Sequence, residues 1–244
     1  NMKRDKSTIL ENQMLADGIY KMTLETPECA FTAPGQFAML EVPEKFLRRP
    51  ISVSSYDSDR YVLIYKVVGD GTKKLSRMEP GEKISSLTGL GNGYDVDAIP
   101  DGCTLIGGGI GIPPMLGLAK SLVIAGKKCR LILGFNTANE IFLVDEFKNF
   151  TDDITVMTAD GSYGQKGFVT DAFDTLDYAC ACGPLKMLQA LDGKVRKGQF
   201  SLEARMGCGF GACMGCSIQT KVGSQRVCKE GPVFDKEVLL WETL

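Results

Sequence analysis

The sequence predicts an antiparallel all-β domain, then an α/β domain with a doubly wound parallel sheet, then a small Cys-rich domain. Short strand-like segments separated by turn residues occupy residues 7–98. From residue 103 onward, apolar strands alternate with segments of helical length, and the final part of the chain is rich in Cys and Gly. We therefore place the domain boundaries at 1–99, 100–202 and 203–244.

The N-terminal domain is predicted from six segments that read as short strands. These segments are STILENQML, GIYKMTLETP, GQFAMLEVP, PISVSSY, RYVLIYKVV and KISSLTG. Turn sequences separate them, namely ADG, APG, DSD, GDGT and EPGE, and GNG follows the last. Several short strands at this spacing are typical of a sandwich or a barrel.

The second domain is predicted from a regular alternation of strands and helices. The predicted strands are CTLIGG, KCRLILGF, ITVMTAD and YACACG, and the predicted helices are IPPMLGLAKSLVIAG, NEIFLVDEFKNF, GFVTDAFDTL and PLKMLQALDG. This alternation indicates a parallel sheet with helices on both faces. Such sheets bind ligands at the carboxyl ends of their strands, beside the point where the strand order reverses.

The charge balance argues against nucleic acid or a membrane as a partner. The chain has 28 Lys and Arg and 30 Asp and Glu, so it lacks a strong net charge. Residues 1–20 contain no continuous apolar signal segment, and no apolar run reaches transmembrane length. We expect a cytoplasmic protein, where its nine cysteines stay reduced.

The chain contains no histidine, which limits its chemistry. Histidine-based acid–base catalysis, histidine-activated nucleophiles and histidine metal ligands are all excluded. Any metal is then held by thiolates or carboxylates. We expect bound cofactors to carry the reaction and predict no catalytic side chain in this chain.

Four cysteines near the C-terminus have the spacing of a metal centre. They are Cys208, Cys213, Cys216 and Cys228. The C-x₄-C-x₂-C part matches the plant-type [2Fe–2S] spacing, and the glycines between the ligands leave backbone N–H groups free to point at sulfur. Zinc ribbons usually use two C-x₂-C pairs, and only Cys213 and Cys216 form one here. The spacing favours an iron–sulfur cluster, and a structural zinc site is the alternative.

A glycine-rich turn, TLIGGGIGIPPM at 104–115, follows the first strand of the α/β domain. Pro113 and Pro114 suit the first turn of the helix that comes next. Glycines at this point let a pyrophosphate approach the backbone at the helix N-terminus. The motif is not a strict G-x-G-x-x-G, so a turn without a ligand is the alternative.

Several weaker motifs are informative only because of the order in which they occur along the chain. They are PGQF at 34–37, RRPIS at 48–52, IYK at 64–66, GDGT at 69–72 and CACGP at 180–184. Taken singly, Arg49 fits a solvated charge at a strand end, and Cys182 fits a small buried hydrophobe. In this order they resemble the ferredoxin–NADP⁺ reductase superfamily, in which a β-barrel binds FAD and an α/β domain binds the nicotinamide nucleotide.

The cysteine segment makes the resemblance more specific. Together with GNGYDV, GFNTANEIFLVDEF, ADGSYGQKGFVTD and the ending VCKEGPVF, it is similar to the electron-transfer subunits of class 1B dihydroorotate dehydrogenase. This resemblance covers nearly the whole chain. It implies an FAD-binding β-barrel, an NAD-binding domain and a C-terminal [2Fe–2S] domain.

The resemblance also assigns residues to the cofactors. It places FAD against Arg49, Pro50, Ile51, Ser52, Ile64, Tyr65, Lys66, Gly71 and Thr72. It places NAD against Gly108, Gly109, Gly111, Cys182 and Gly183, and the cluster on Cys208, Cys213, Cys216 and Cys228. Arg49 is expected to meet the pyrophosphate of FAD, Ser52 to lie near the reactive edge of the flavin, and Thr72 to donate to phosphate.

The implied function is electron transfer in pyrimidine biosynthesis. A partner subunit containing FMN oxidises dihydroorotate to orotate, and electrons then pass through the cluster and FAD to NAD⁺. The family implies a heterotetramer with two copies of each chain. Alternatives are a ferredoxin–NAD(P)⁺ reductase subunit, a hydrogenase diaphorase subunit, or a nucleotide-binding regulatory module with a Cys₄ zinc. NAD is favoured over NADP because GFNTANE carries only Glu140 and no basic residue.

Overall fold

The computed structural model describes residues 2–244, and its N-terminal part is a closed six-stranded antiparallel barrel with strand order β1-β2-β5-β4-β3-β6. The strands are β1 (Lys3–Ala16), β2 (Ile19–Glu25), β3 (Phe37–Leu40), β4 (Arg49–Tyr56), β5 (Arg60–Lys66) and β6 (Lys83–Leu90). Each coincides with one predicted segment, so the antiparallel β domain is confirmed, and it is a barrel. Apolar side chains fill its interior, among them Ile9, Leu24 and Leu63, which are fully buried.

The GDGT sequence does not form a simple turn as predicted. It begins the short helix α1 (Asp70–Leu75) between β5 and β6. The Thr72 hydroxyl accepts hydrogen bonds from the backbone N–H groups of Val68 (2.9 Å) and Gly69 (3.2 Å), which fixes the entry into the helix. These two hydrogen bonds satisfy N–H groups at the start of the segment, which forms a helix and not a turn.

The central part is a parallel sheet with helices, as predicted. Its strands are β7 (Cys103–Gly108), β8 (Cys129–Phe135), β9 (Ile154–Thr158), β10 (Gln165–Lys166), β11 (Leu176–Cys182) and β12 (Val195–Ser201). Its helices are α2 (Ile112–Ile124), α3 (Val144–Phe147) and α4 (Leu185–Asp192). Strand β7 lies between β8 and β11, so the strand order reverses beside β7 and a doubly wound sheet is confirmed.

Two predicted helices are much shorter in the structure, and two strands of the parallel sheet, β10 and β12, were not predicted. The segment at 139–150 forms the end of a 3₁₀ turn, Ala138–Glu140, and then α3, because Leu143 adopts a left-handed backbone conformation (φ 64°) immediately before α3. The segment at 167–176 forms a single 3₁₀ turn, Val169–Ala172, and its last residue already belongs to β11. Strand β12 has only two large apolar side chains, Val195 and Phe200, and this weakened its sequence signal.

The C-terminal segment is tied into the rest of the molecule. It contains the hairpin β13 (Ser217–Thr220) and β14 (Gly223–Arg226) and the strand β15 (Val233–Asp235). Strand β15 pairs antiparallel with β12 and completes a seven-stranded sheet. Cys216 and Val227 share a buried apolar cluster with Phe37 and Met39 of the barrel. This segment therefore packs against both other regions.

Helix α2 brings the barrel and the sheet into direct contact. A Cβ atom on Gly117 would lie 2.7 Å from the Ser54 carbonyl oxygen on β4, so the helix backbone touches the barrel. The Tyr94 hydroxyl donates to the Ala181 carbonyl oxygen at 2.9 Å. The carboxyl end of β11 thus contacts the segment that follows the barrel. Among residues 2–244, no helix has both the length and the apolar character needed to cross a membrane.

Candidate cofactor-binding sites

A cavity of about 310 Å³ lies where the barrel, the sheet and the C-terminal segment meet. Strands β3, β4 and β5 and the start of α1 form one wall. Ile110, from the glycine-rich turn, forms part of another. The stretch from Leu202 to Met206, together with Pro232, closes the third side. All three regions of the chain therefore contribute to this cavity, which we call the flavin cavity after the residues predicted to bind FAD.

Most of the residues predicted to bind FAD line the flavin cavity. They are Pro50, Ile51, Ser52, Ile64, Tyr65, Lys66 and Thr72. The cavity wall is largely apolar with a few polar groups, which suits an aromatic ring system with polar edges. The Tyr65 hydroxyl donates to Asn12 Oδ1 at 2.9 Å, and burial raises the pKa of Tyr65, so its ring is a neutral part of the wall.

Arg49 and Gly71 lie next to each other beside the lining residues. A Cβ atom on Gly71 would be only 2.5 Å from Arg49 Nε, so the missing side chain is what lets the guanidinium lie there. Arg49 Nη1 donates to the Leu47 carbonyl oxygen at 2.6 Å. No carboxylate within residues 2–244 forms an ion pair with Arg49, which leaves its other N–H groups for an anionic ligand.

Two predicted flavin contacts have other partners in the structure. The Thr72 hydroxyl, predicted to donate to phosphate, donates to the Gly69 carbonyl oxygen at 3.1 Å. Lys66 Nζ lies 3.6 Å from Glu140 Oε1, and this ion pair joins the barrel to the sheet. Lys66 thus connects the flavin cavity with a second cavity, described below, which Glu140 lines.

Glu203 is a residue of the flavin cavity that sequence reasoning missed. It lies on the wall between Leu202 and Ala204, and burial raises the pKa of its carboxyl group. A carboxyl group of this kind can hold a proton beside a bound ligand. No local pattern marks Glu203, because its position depends on where β12 ends.

A second cavity, of about 420 Å³, lies at the carboxyl ends of β7 and β8. Gly108 and Gly109 line it, next to the start of helix α2. Pro113 and Pro114 stand in the first turn of this helix, as predicted. Phe168 also lines the cavity and is 68% exposed, so it offers an aromatic face to a ligand. This nucleotide cavity is therefore at the switch point of the sheet.

Three residues predicted to contact NAD lie outside the lining of the nucleotide cavity. A Cβ atom on Gly111 would be 2.3 Å from the Cys182 carbonyl oxygen, so this glycine permits contact between α2 and β11. Gly183 is buried against Met187. Burial, and then the charge of Glu203, raise the pKa of the Cys182 thiol to about 12, so this thiol stays protonated. In the structure all three residues lie behind the cavity lining and support it.

The four cysteines of the C-terminal segment form two neighbouring pairs. The thiols of Cys208 and Cys213 lie within hydrogen-bonding reach of each other, and so do those of Cys216 and Cys228. Among residues 2–244, no three or more Cys, Asp or Glu side chains lie close enough together to hold one metal ion. Each pair of thiols could supply the two cysteine ligands of one iron in a two-iron cluster.

Backbone N–H groups point at the sulfur atoms. The Cys208 Sγ accepts from Ala212 N at 3.2 Å and from Cys213 N at 3.4 Å, and the Cys216 Sγ accepts from Cys228 N at 3.4 Å. Burial by itself would raise the pKa of the Cys208 thiol. The N–H groups of Cys213, Phe210 and Ala212 outweigh it and lower this pKa to about 6. The loop therefore favours the thiolate form of Cys208, the form that a metal ligand needs. At Cys228 burial has the larger effect and raises the pKa of the thiol to about 12.

Two family models match the chain. The iron–sulfur cluster binding domain of dihydroorotate dehydrogenase B matches residues 203–240, which include all four paired cysteines. The oxidoreductase NAD-binding domain matches residues 105–192, which include the glycine-rich turn. These matches agree with the predicted cluster and nucleotide and argue against the zinc alternative.

Curated relatives match over nearly the full chain. The dihydroorotate dehydrogenase B (NAD(+)) electron transfer subunit of Fusobacterium nucleatum subsp. nucleatum is 42% identical, with 96% of this chain and 97% of the relative covered. The subunit of the same name from Bacillus mycoides is 38% identical, with 96% and 97% covered. These matches support the main hypothesis over the reductase and diaphorase alternatives.

Solved structures confirm the ferredoxin reductase-like fold. A chain of an NADH-dependent reduced ferredoxin-NADP oxidoreductase, studied for flavin-based electron bifurcation, superposes with a TM-score of 0.87 at 30% identity, with 97% of this chain and 90% of that chain covered. Phthalate dioxygenase reductase shares the fold, with a TM-score of 0.65 at 17% identity. Fold, paired thiols and relatives agree, and the chain belongs to the family of dihydroorotate dehydrogenase B (NAD(+)) electron transfer subunits.

Proposed function

We propose that this chain carries electrons from a catalytic subunit through a [2Fe–2S] cluster and FAD to NAD⁺. The composition of the flavin cavity supports this order. Its walls come from the barrel, from Ile110 of the nucleotide-binding turn, and from residues 202–206, which lead into the loop at 208–216, here called the cysteine loop. A flavin bound there lies between the nucleotide and the cluster.

FAD, when bound, can exchange electron pairs with a nicotinamide and single electrons with an iron–sulfur cluster. The residues of the chain bind and orient it. Arg49 provides a cation for the pyrophosphate, and the apolar walls formed by Ile51, Ile64 and Tyr65 exclude water from the ring. The Ser52 hydroxyl and the Glu203 carboxyl are the polar groups that can donate to, or hold a proton beside, the ring.

The nucleotide cavity is proposed to hold NAD with its pyrophosphate at Gly108 and Gly109. The N-terminus of α2, a helix of 13 residues, adds favourable electrostatics at this point. Glu140 lies in the cavity wall and accepts a hydrogen bond from Asn136 Nδ2 at 3.0 Å. A carboxylate there can accept from a ribose hydroxyl and repels a 2′-phosphate, which supports NAD over NADP.

The name of the family implies a catalytic partner subunit. We propose that this partner contains FMN and oxidises dihydroorotate to orotate, and that two copies of each chain assemble. We also propose that the complex works in the cytoplasm, where reducing conditions keep the ligand thiols available. The cysteine loop offers an exposed apolar surface for docking, with Phe210 43% and Met214 53% exposed. Val233 and Phe234, further along the same segment, are buried around β15 and do not contribute to this surface.

The isolated chain is expected to catalyse only half of the reaction. Loaded with FAD and cluster, it should oxidise NADH with an artificial electron acceptor, because that path needs no partner. It should not oxidise dihydroorotate. Steady-state assays of both activities test this division. Dihydroorotate oxidation by the purified chain alone would contradict the proposal, and so would a flavin-loaded chain that cannot oxidise NADH.

Replacing Arg49 by alanine is expected to weaken FAD binding by about 1.5–3 kcal/mol, the usual value of a charge-assisted hydrogen bond. This corresponds to a loss of affinity of roughly tenfold to a hundredfold. Flavin retained after dialysis measures it. Arg60→Ala is the matched control, since Arg60 lies on the same barrel and pairs with Glu25 at the surface. Equal flavin retention in both variants would exclude Arg49 as a flavin ligand.

The proposed docking surface predicts local protection from hydrogen exchange when the partner binds. Backbone amides around Phe210 and Met214 should exchange hydrogen more slowly when the catalytic subunit binds. Met214→Glu should weaken the complex, because it places a charge in an apolar contact. Val222→Glu is the control, since Val222 is also exposed but lies at the far turn of the β13–β14 hairpin. Protection confined to residues 104–126 would move the interface to the nucleotide domain and contradict the proposed path.

A further inference from the structure

Arg226, at the end of β14, joins the two halves of the cysteine motif. Its Nη1 donates to the Gly211 carbonyl oxygen at 2.6 Å, in the loop between Cys208 and Cys213. Its Nε donates to Glu230 Oε2 at 3.0 Å, and its Nη2 pairs with Glu230 Oε1. The Arg226 backbone N–H also donates to this carboxylate at 2.7 Å. One guanidinium therefore ties the loop of the first two cysteines to the segment that carries the last one.

The Arg226 guanidinium packs against the loop between Cys208 and Cys213. A Cβ atom on Gly211 would lie 3.1 Å from Arg226 Nη1, so the loop backbone packs directly on the cation. The Arg226 and Glu230 side chains are only 23% and 31% exposed, which limits screening by solvent.

We infer that Arg226 is a positioning residue that holds the cysteine loop and sets the reduction potential of the cluster, and that Glu230 offsets its charge. The inference rests on the proposed [2Fe–2S] function. The family models and relatives assign no such role to either residue.

The two charges should act in opposite directions. Reduction adds a negative charge to a centre already surrounded by thiolates, and the potential of such a centre depends on nearby charge and on hydrogen bonds to sulfur. A cation beside it stabilises the reduced form, and an anion destabilises it. Loss of the Arg226 charge should therefore lower the potential, and loss of the Glu230 charge should raise it.

A redox titration of the full chain, loaded with FAD and cluster and followed by electron paramagnetic resonance, tests this. At fixed potential, Arg226→Gln should lower the ratio of reduced to oxidised cluster about tenfold, which is 59 mV for a one-electron couple. Glu230→Gln should shift the ratio the opposite way, and Arg226→Lys should restore most of the wild-type value. Arg196→Gln is the control for total charge, because Arg196 pairs with Asp177 at a fully solvated surface.

Several results would overturn the inference. One is an Arg226→Gln potential equal to that of Arg196→Gln, and another is a shift of Arg226→Gln and Glu230→Gln in the same direction, as simple loosening of the loop would cause. If Arg226→Gln lost its iron, the inference would still be tested by the sign of the Glu230→Gln shift and by the reduction potential of Arg226→Lys. Failure of the proposed function is distinct, because the wild-type chain would then show no cluster signal to titrate.

Discussion

Replacing Cys213 by serine is expected to abolish the iron–sulfur cluster. Cys213 is the exposed member of the Cys208–Cys213 pair, and the loss of one thiolate leaves one iron without its ligand set. Without the cluster, residues from about 203 onward should also become less stable, since metal binding and folding are coupled in small segments. Iron and acid-labile sulfide analysis, with the visible spectrum, measures the first effect. Limited proteolysis measures the second.

Cys29→Ser is the matched control for this experiment. Cys29 is half-buried in the barrel region, outside the paired thiols, and serine there should leave the iron content unchanged. Cys103→Ser and Cys129→Ser should also keep the cluster. They are expected to cost stability, because these two residues are buried side by side on β7 and β8. A Cys213→Ser chain with full iron content would refute the predicted ligand set.

Replacing Gly111 by alanine is expected to disrupt the junction between the nucleotide cavity and its supporting strand. The new Cβ atom would lie 2.3 Å from the Cys182 carbonyl oxygen and 2.6 Å from the Gly183 nitrogen, and neither backbone atom can move without displacing β11. We expect a loss of about 3 kcal/mol in the free energy of unfolding, typical of overpacking. For a chain of this size that lowers the melting temperature by roughly 6–12 °C. Circular dichroism and NADH oxidation rates measure the effects.

Gly193→Ala tests whether the close approach of Gly111 to β11, and not the loss of a glycine in general, causes the loss of stability. Gly193 has an ordinary backbone conformation (φ −72°), and a Cβ atom there would meet nothing within 4 Å. Alanine should be neutral or slightly stabilising at this position. Equal melting temperatures for the two variants would contradict the close contact between Gly111 and β11.

Much of the architecture can be predicted because its signals are local. The boundaries of β7 match the predicted strand CTLIGG, since an apolar run ends there in glycines that the next helix requires. The barrel strands are separated by explicit turn residues. The four paired cysteines stand out because cluster ligands need a fixed spacing, and the matched cluster domain contains them all.

The remaining features depend on contacts between distant parts of the chain. Strand β15 is only three residues long and is defined by its pairing with β12. Glu203 enters the flavin cavity only because β12 ends beside the barrel. Gly111 fits the pyrophosphate motif in sequence but is packed under the cavity, because α2 approaches β11 closely. Sequence patterns identify such residue types, but only the folded backbone shows what each one touches.

The most direct test of the proposed electron path combines this chain with its catalytic subunit. In the reconstituted complex, addition of dihydroorotate should reduce NAD⁺ when the wild-type chain is present. With Cys213→Ser that activity should be lost, while oxidation of NADH by an artificial acceptor through FAD persists. If the cluster-free variant still supported NAD⁺ reduction by dihydroorotate at the wild-type rate, electrons would not pass through the cluster and the proposed path would be wrong.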